Sequence, residues 1–326
     1  MFAPIESAFD KSIRRLKMSL TYYPYLRGRQ FELLALRDLV NNGWISERVV
    51  PVIEPVRFSP TLIKTLQAFK EKNKSYALIE NPQYGIFWDQ MKKDQNLQKQ
   101  YEGSISESKK ITAFLMNESA VAKLQQVSRD NLMVVNEDMD CYASYTQAFG
   151  EGEEAAYTLI PDKRQFKRKI RNGKILLEDH FPMKDRNKDY AEKEDEFFSD
   201  DHIGIEAEGY IGFSDYSVIG AKYNESGFAP LAVAIHVVYF DKNHDLRVHH
   251  FVSDSNDDIK DPAGKYGEAI DKLAHWCMQN RPFFTHGLRL LLDTNKNRRY
   301  PGLGTVKKYS IMHHLELMDH YLNGAE

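Results

Sequence analysis

YYPYLRGRQFELLAL, Tyr22 to Leu36, packs a change of conformation into fifteen residues. An aromatic and apolar run, Tyr22 to Leu26, stops at Arg27-Gly28-Arg29, and Phe31, Leu33, Leu34 and Leu36 then set a helical pattern. A strand that passes directly into a helix begins a βα unit. The unit recurs along the chain. VVPVIEPV (49–56), SYALIENP (75–82), ITAFLMNE (111–118), LMVVNED (132–138), AAYTLIPD (155–162) and KILLEDH (174–180) have strand length, and most end in polar or acidic residues. Several are apolar at consecutive positions, as in strands buried on both faces of a parallel sheet. Between them, Leu62, Leu66 and Phe69 pattern one helix and Val121, Leu124 and Val127 another; Ser59-Pro60 and Ser119 are the expected helix starts.

With an eighth strand expected inside HIGIEAEGYIGF (202–213), the repeat has the count of a (β/α)8 barrel. An open doubly wound sheet uses the same units. No GxGxxG opens the first unit and no GxxxxGK[ST] loop occurs, which weakens the nucleotide-binding forms of that open sheet. The expected fold is therefore α/β, a TIM-like barrel over 19–326 preceded by an extension, 1–18. Residues 225–326 elaborate the barrel. PLAVAIHVVYFDKNHDLRVHHFVSD (230–254) predicts a hairpin turning at Asp241 to Asp245. Ile270, Leu273 and Trp276 pattern a helix over 264–280, and Ile311, Leu315 and Met318 another over 306–322. The charged stretch 183–201 is expected to be a solvated connection or an exposed helix.

Composition narrows the classes. With 42% hydrophobic residues over 326 positions, the chain has enough apolar mass for a large core. A formal net charge of −3 argues against a generalised polyanion binder while leaving local basic patches open. No apolar run approaches the roughly 18–20 residues of a membrane span, and the first residues lack an apolar signal core. Cys141 and Cys277 make no disulfide or metal framework, so a reducing cytoplasm is the expected setting.

Barrel enzymes carry their sites at the C-terminal ends of the strands. Arg27 and Arg29 fall there, where guanidinium groups can grip a phosphate or carboxylate; alternatively, one of them ties the rim together by pairing with Glu54. The same rim gathers Glu54, Glu80, Asn81, Asn117, Glu137, Asp138, Glu178 and Asp179. Glu80, Glu178 and Asp179 are the expected catalytic acids. Arg27, Arg29, Glu54, Asn81 and Asn117 are the expected ligand-binding groups. Such acids serve as general acid and base or hold a magnesium-type ion, and arginines mixed with carboxylates suit a phosphorylated ligand, a nucleotide or nucleic-acid end. NKNRRYPGLGTVKK (295–308) reads either as an anion-binding loop or as a solvated one. His249-His250 and His313-His314 read as structural, and FSDYS (213–217) lacks a GxSxG elbow.

The set YYPYLRGRQFELLAL, VVPVIEPV and IENP, closing with PGLGTVKKYSIMHH, resembles an uncharacterised bacterial family that looks related to the phage beta-protein family. The resemblance spans most of the chain. It implies a TIM-barrel-like fold and a mobile-element or phage-defence context beside a nuclease-like partner encoded nearby, and it carries no catalytic residue. Two functions follow as expectations: a subunit that binds a partner or target, or a metal-assisted enzyme or sensor acting on a phosphorylated ligand.

Overall fold

The computed structural model describes residues 20–223 and 231–324; the expected extension, 1–18, lies outside them. In chain order, the first half alternates strand and helix: β1 (Thr21–Tyr22), β2 (Tyr25–Leu26), α1 (Gln30–Asn41), β3 (Val52–Ile53), α2 (Pro60–Glu71), β4 (Tyr76–Ile79), α3 (Phe87–Met91), α4 (Gln95–Ile105), β5 (Lys110–Leu115), α5 (Glu118–Leu124), β6 (Leu132–Val135), α6 (Cys141–Ala148), β7 (Tyr157–Ile160), α7 (Arg164–Lys169) and β8 (Lys174–Leu177). Then follow β9 (Asp195–Ser199), β10 (Tyr210–Ser214), the hairpin β11 (Ala234–Phe240) and β12 (Leu246–Val252), and three helices, α8 (Pro262–Asn280), α9 (His286–Lys296) and α10 (Leu303–Leu322).

Nine strands form one curled, all-parallel sheet in the order β1-β10-β8-β7-β6-β5-β4-β3-β2, flanked by helices. Tyr25, Val52, Leu78, Phe114, Val134, Leu159 and Leu176, each central to an apolar run, lie on adjacent parallel strands as expected. The sheet's two outermost strands are separated by only Tyr23 and Pro24. On one side of this stretch Val50 N–H donates to Tyr22 O (2.9 Å) and Glu54 N–H to Leu26 O (2.8 Å). On the other, Tyr23 N–H donates to Phe213 O and Tyr25 N–H to Asp215 O, both at 2.8 Å. Pro24 has no N–H to give, which is why the ladder breaks between β1 and β2.

Side chains alternate across this sheet with period two. Tyr25, Val52, Ala77, Ile79, Ala113, Leu115, Val135, Leu159 and Leu177 pack against one another on the concave side. Leu26, Ile53, Leu78, Phe114, Val134 and Leu176 face the helices in a second, larger core. The consecutive apolar runs in the sequence are these two faces read together. Ser59 caps α2 by accepting Leu62 N–H at 3.2 Å, with Pro60 in the first turn, as predicted. The next predicted start shifts: Asn117, not Ser119, caps α5, accepting Ala120 N–H at 3.0 Å.

The hairpin turns between Phe240 and Leu246. The charged stretch 183–201 departs from expectation. Within it Asn187–Glu192 forms a 3-10 turn, and β9 pairs antiparallel with β12 to complete a three-stranded second sheet. Phe198 is the reason: it is fully buried, with Glu196 on the same face, while Phe197 between them is exposed. Helix α10 is buried almost all round. Three of its buried polar side chains are matched: His313 bonds Thr285 Oγ1 and Val238 O (both 2.7 Å), Glu316 accepts His286 N–H at the α9 start (2.8 Å), and Asp319 accepts Ser46 N–H (3.0 Å). Among the described residues, no helix is long and apolar enough to cross a membrane.

Candidate functional site

Period-two alternation decides which strand-end residues converge. Carrying the concave-side positions two residues further reaches Arg27, Glu54, Asn81, Asn117, Glu137 and Asp179; Glu80, Asp138 and Glu178 fall on the other parity. Of the two arginines, either of which was expected to pair with Glu54 or Glu80, it is Arg27 that does so: its Nη1 donates to Glu54 Oε2 at 2.8 Å, with both side chains buried. Tyr25 OH shares that oxygen at 2.9 Å, and Glu54 Oε1 accepts Gln83 N–H at 2.8 Å. Arg27 Nη2 donates to Ala221 O, and its guanidinium sits within 6 Å of four tyrosine rings, Tyr84 nearest at 4.7 Å, with Tyr25, Tyr216 and Tyr223 around it. This cluster is largely satisfied from within. It ties the first two strand ends together.

The other predicted residues lie apart. Glu80 pairs with Lys110 Nζ at 2.7 Å. Asn81 exchanges two hydrogen bonds with the Leu115 backbone, at 2.8 and 2.9 Å, extending the ladder past β4. Asn117 is the α5 cap described above. Glu178 accepts Asp162 N–H at 2.6 Å. Asp179 accepts Ala221 N–H at 2.9 Å, and burial raises its carboxyl above the ordinary range. Burial likewise raises Glu137, which accepts Tyr216 OH at 3.3 Å. Among the described residues, no three His, Cys, Asp or Glu side chains group so as to hold a metal ion.

A hollow of about 670 Å³ opens beside the RGR turn, at the ends of β2 and β3. Three cations line it, Arg29, Arg57 and Lys307, against one carboxylate, Glu32. Gly28, at φ +58°, turns the chain so that Arg29 leaves the Arg27 cluster and faces this space. A Cβ at Gly28 would also meet Glu54 O at 3.0 Å. Buried Glu32 accepts Arg29 Nε–H at 2.5 Å and Arg29 N–H at 3.3 Å; arginine has no acceptor to return, so this is half a capping box. Arg29's two terminal nitrogens, Arg57 and Lys307 have no hydrogen-bond or ion-pair partner among the described residues. Lys307 is open to solvent within a crowded recess, and burial, then the Arg29 charge, lowers its pKa below the ordinary lysine value. Helices α1, α2 and α10 all start at this hollow, and no side chain caps α10 at Gly302. Positive helix ends and unmatched cations create a demand for an anion. The stretch 295–308 contributed this signal as one of two readings; Arg57, alone after VVPVIEPV, carried none.

One buried constellation is triad-like. Ser217 Oγ lies 3.0 Å from His314 Nδ1, and His314 Nε2 lies 3.8 Å from Asp215 Oδ2. Ser217 even has φ +51°. All three are buried, Ser217 completely, so no substrate reaches the hydroxyl. Tyr22 OH and Ser217 N–H instead hold Asp215 Oδ1, at 2.7 and 2.6 Å, under α10.

No family model matches the chain, and no curated protein or solved structure matches it either.

Proposed function

We propose that the chain is a closed (β/α)8 barrel that binds a phosphorylated small molecule in the hollow beside Arg29. The two-sided hydrogen bonding of Tyr22 to Leu26 supports closure, with β1 and β2 acting as one strand kinked at Pro24. The observation that carries the ligand is the set of unmatched cations, Arg57 and Lys307 with the free end of Arg29, around a recess large enough for a small molecule. Charge-assisted hydrogen bonds to phosphate are about twice as strong as neutral ones and favour arginine. Binding, not catalysis, is the function proposed, because the strand-end acids are engaged elsewhere.

Calorimetric titration with inorganic phosphate and ribose 5-phosphate tests this. Wild type should bind, and Lys307→Met should weaken binding about ten- to a hundredfold, one lost charge-assisted contact being worth roughly 1.5–3 kcal/mol. Absence of binding by wild type rejects the proposal. A second role, recognition of a protein partner in a mobile-element or phage-defence setting, is favoured by Met278, Phe283 and Phe284, exposed together where α8 gives way to α9. Co-purification with the product of the neighbouring gene, abolished by Phe283→Ser with Phe284→Ser, would support it; retention by the double variant would remove it.

A further inference from the structure

We infer that α7 and the turn after it form a docking surface for duplex nucleic acid, gripping the phosphate backbone through Lys163, Arg164, Arg168 and Arg171 without reading its sequence. The surface is independent of the hollow beside Arg29. Helix α7 joins β7 to β8, whereas the hollow opens at the ends of β2 and β3, with β4, β5 and β6 between them in the sheet order.

Charge is the first observation. Residues 163–174, KRQFKRKIRNGK, hold seven of the chain's 44 lysines and arginines and no carboxylate, in a protein whose formal net charge is −3. Three of the seven are engaged. Lys167 pairs with Asp162 and with Glu208 (3.1 Å), Lys169 Nζ donates to Gly150 O (3.0 Å), and buried Lys174 Nζ donates to Glu208 O (2.8 Å). Lys163, Arg164, Arg168 and Arg171 are exposed, and their side chains have no hydrogen-bond or ion-pair partner among the described residues. Glu154, beside them, is taken up by the Arg171 and Asn172 N–H groups, at 2.6 and 2.9 Å.

The second observation is that α7 forms against its own sequence. Arg164 and Arg168 are like charges four residues apart, an arrangement that disfavours a helix. Lys163 stands at the N-cap, where it makes no side-chain cap and its charge opposes the helix dipole. Packing holds the segment instead, through fully buried Phe166 and Ile170, with Phe166 edge-on to Tyr142 at 5.1 Å. The exposed cations add nothing to that packing, and a local rule broken without structural gain marks a functional surface. Chemistry then selects the partner. Three of the four free groups are arginines, whose planar forks suit phosphate. No large apolar or aromatic side chain of 163–174 is exposed. The surface therefore lacks the anchors of a protein interface, the apolar face of a membrane-bound helix and the rings on which single-stranded bases stack. A duplex requires none of these, because its phosphates lie outermost and supply essentially all of non-specific binding.

Fluorescence anisotropy with a labelled, mixed-sequence DNA duplex of about 20 base pairs is the test, alongside polyglutamate and vesicles carrying anionic lipid. With four phosphate contacts, wild-type affinity should fall roughly a hundredfold between about 50 and 200 mM salt. Arg164→Gln with Arg168→Gln removes two contacts and should shrink that fall to about tenfold. The melting temperature should not change, because both positions are exposed and glutamine is a good helix former. Lys92→Gln with Lys93→Gln, the same loss of charge just beyond α3, should leave duplex binding within about twofold of wild type. Failure of wild type to bind the duplex, or equal binding by the folded double-arginine variant, would overturn the inference. Equal weakening by the double-lysine variant would also overturn it, by showing that net charge and not this surface is at work. Polyglutamate or vesicles bound as tightly as the duplex would overturn it in favour of an acidic protein or a lipid surface.

Discussion

Arg27 and Arg29 stand two positions apart and meet opposite fates, because Gly28 at positive φ sends them to different places. Arg27 is a buried partner of Glu54, so Glu54→Gln leaves a guanidinium without its counter-charge. We expect a loss of about 3–5 kcal/mol in denaturant unfolding; a loss under about 1 kcal/mol would mean that the tyrosines alone hold Arg27. At Asp215 the consequence is a pH dependence. Burial, its largest cause, raises the carboxyl from 3.8 to about 6. An acid with a raised folded pKa binds its proton more tightly when folded, so its stabilising contribution is complete below about pH 4 and is lost as pH rises through about 6. That amounts to on the order of 3 kcal/mol. The stability of wild type minus that of Asp215→Asn should therefore fall by about this amount between about pH 4 and pH 7, and parallel profiles would show that Asp215 titrates normally.

Elements were legible where one face or both were uniformly apolar. The parallel strands, the hairpin and α8 follow directly from their runs. Strand β9 did not, since Asp195-Glu196-Phe197-Phe198-Ser199 buries one aromatic ring within a charged stretch, and its pairing is supplied by β12, some fifty residues later. The site was legible to the same degree. The strand-end position of the RGR turn could be read from the sequence, whereas which acids faced inward depended on strand register, which no single run reveals. Helix contacts were hidden too. Where α9 crosses α10, a Cβ on Gly287 would lie 2.4 Å from His313 N and 2.6 Å from Tyr309 O, both backbone atoms that cannot rotate away. Gly287→Ala should cost roughly 1–3 kcal/mol by forcing the helices apart, measurable as a lowered melting temperature; an unchanged or raised value would mean that the crossing is looser than described.

At the scale of the whole molecule, the C-terminal third belongs to the main core. Ile311, Leu315 and Met318 of α10 join the same buried cluster as Leu36, Leu39 and Val40 of α1 and Tyr22 of β1. A chain ending at residue 223 should accordingly fail to give a cooperative thermal transition and should bind a hydrophobic dye. A cooperative transition in that truncated chain would make the hairpin and last helices an appendage. The apolar helix stripes predicted that α10 had something to cover, but the partner surface lies nearly three hundred residues upstream and could only come from the fold.

That distance acts on the chain while it is being made. The first strand leaves the ribosome early, yet its second edge waits for Phe213 and Asp215, and Tyr22 OH meets its carboxylate 193 positions away. Until then a growing parallel sheet carries an unpaired edge, the kind of surface that recruits other chains. Contacts of such separation also slow folding, because their loop-closure entropy is met before they contribute any stability. The two-sided stretch at Tyr22 to Leu26 thus leaves the nascent chain exposed until about two thirds of it has been made, and ties its solubility in the cell to how quickly β10 arrives.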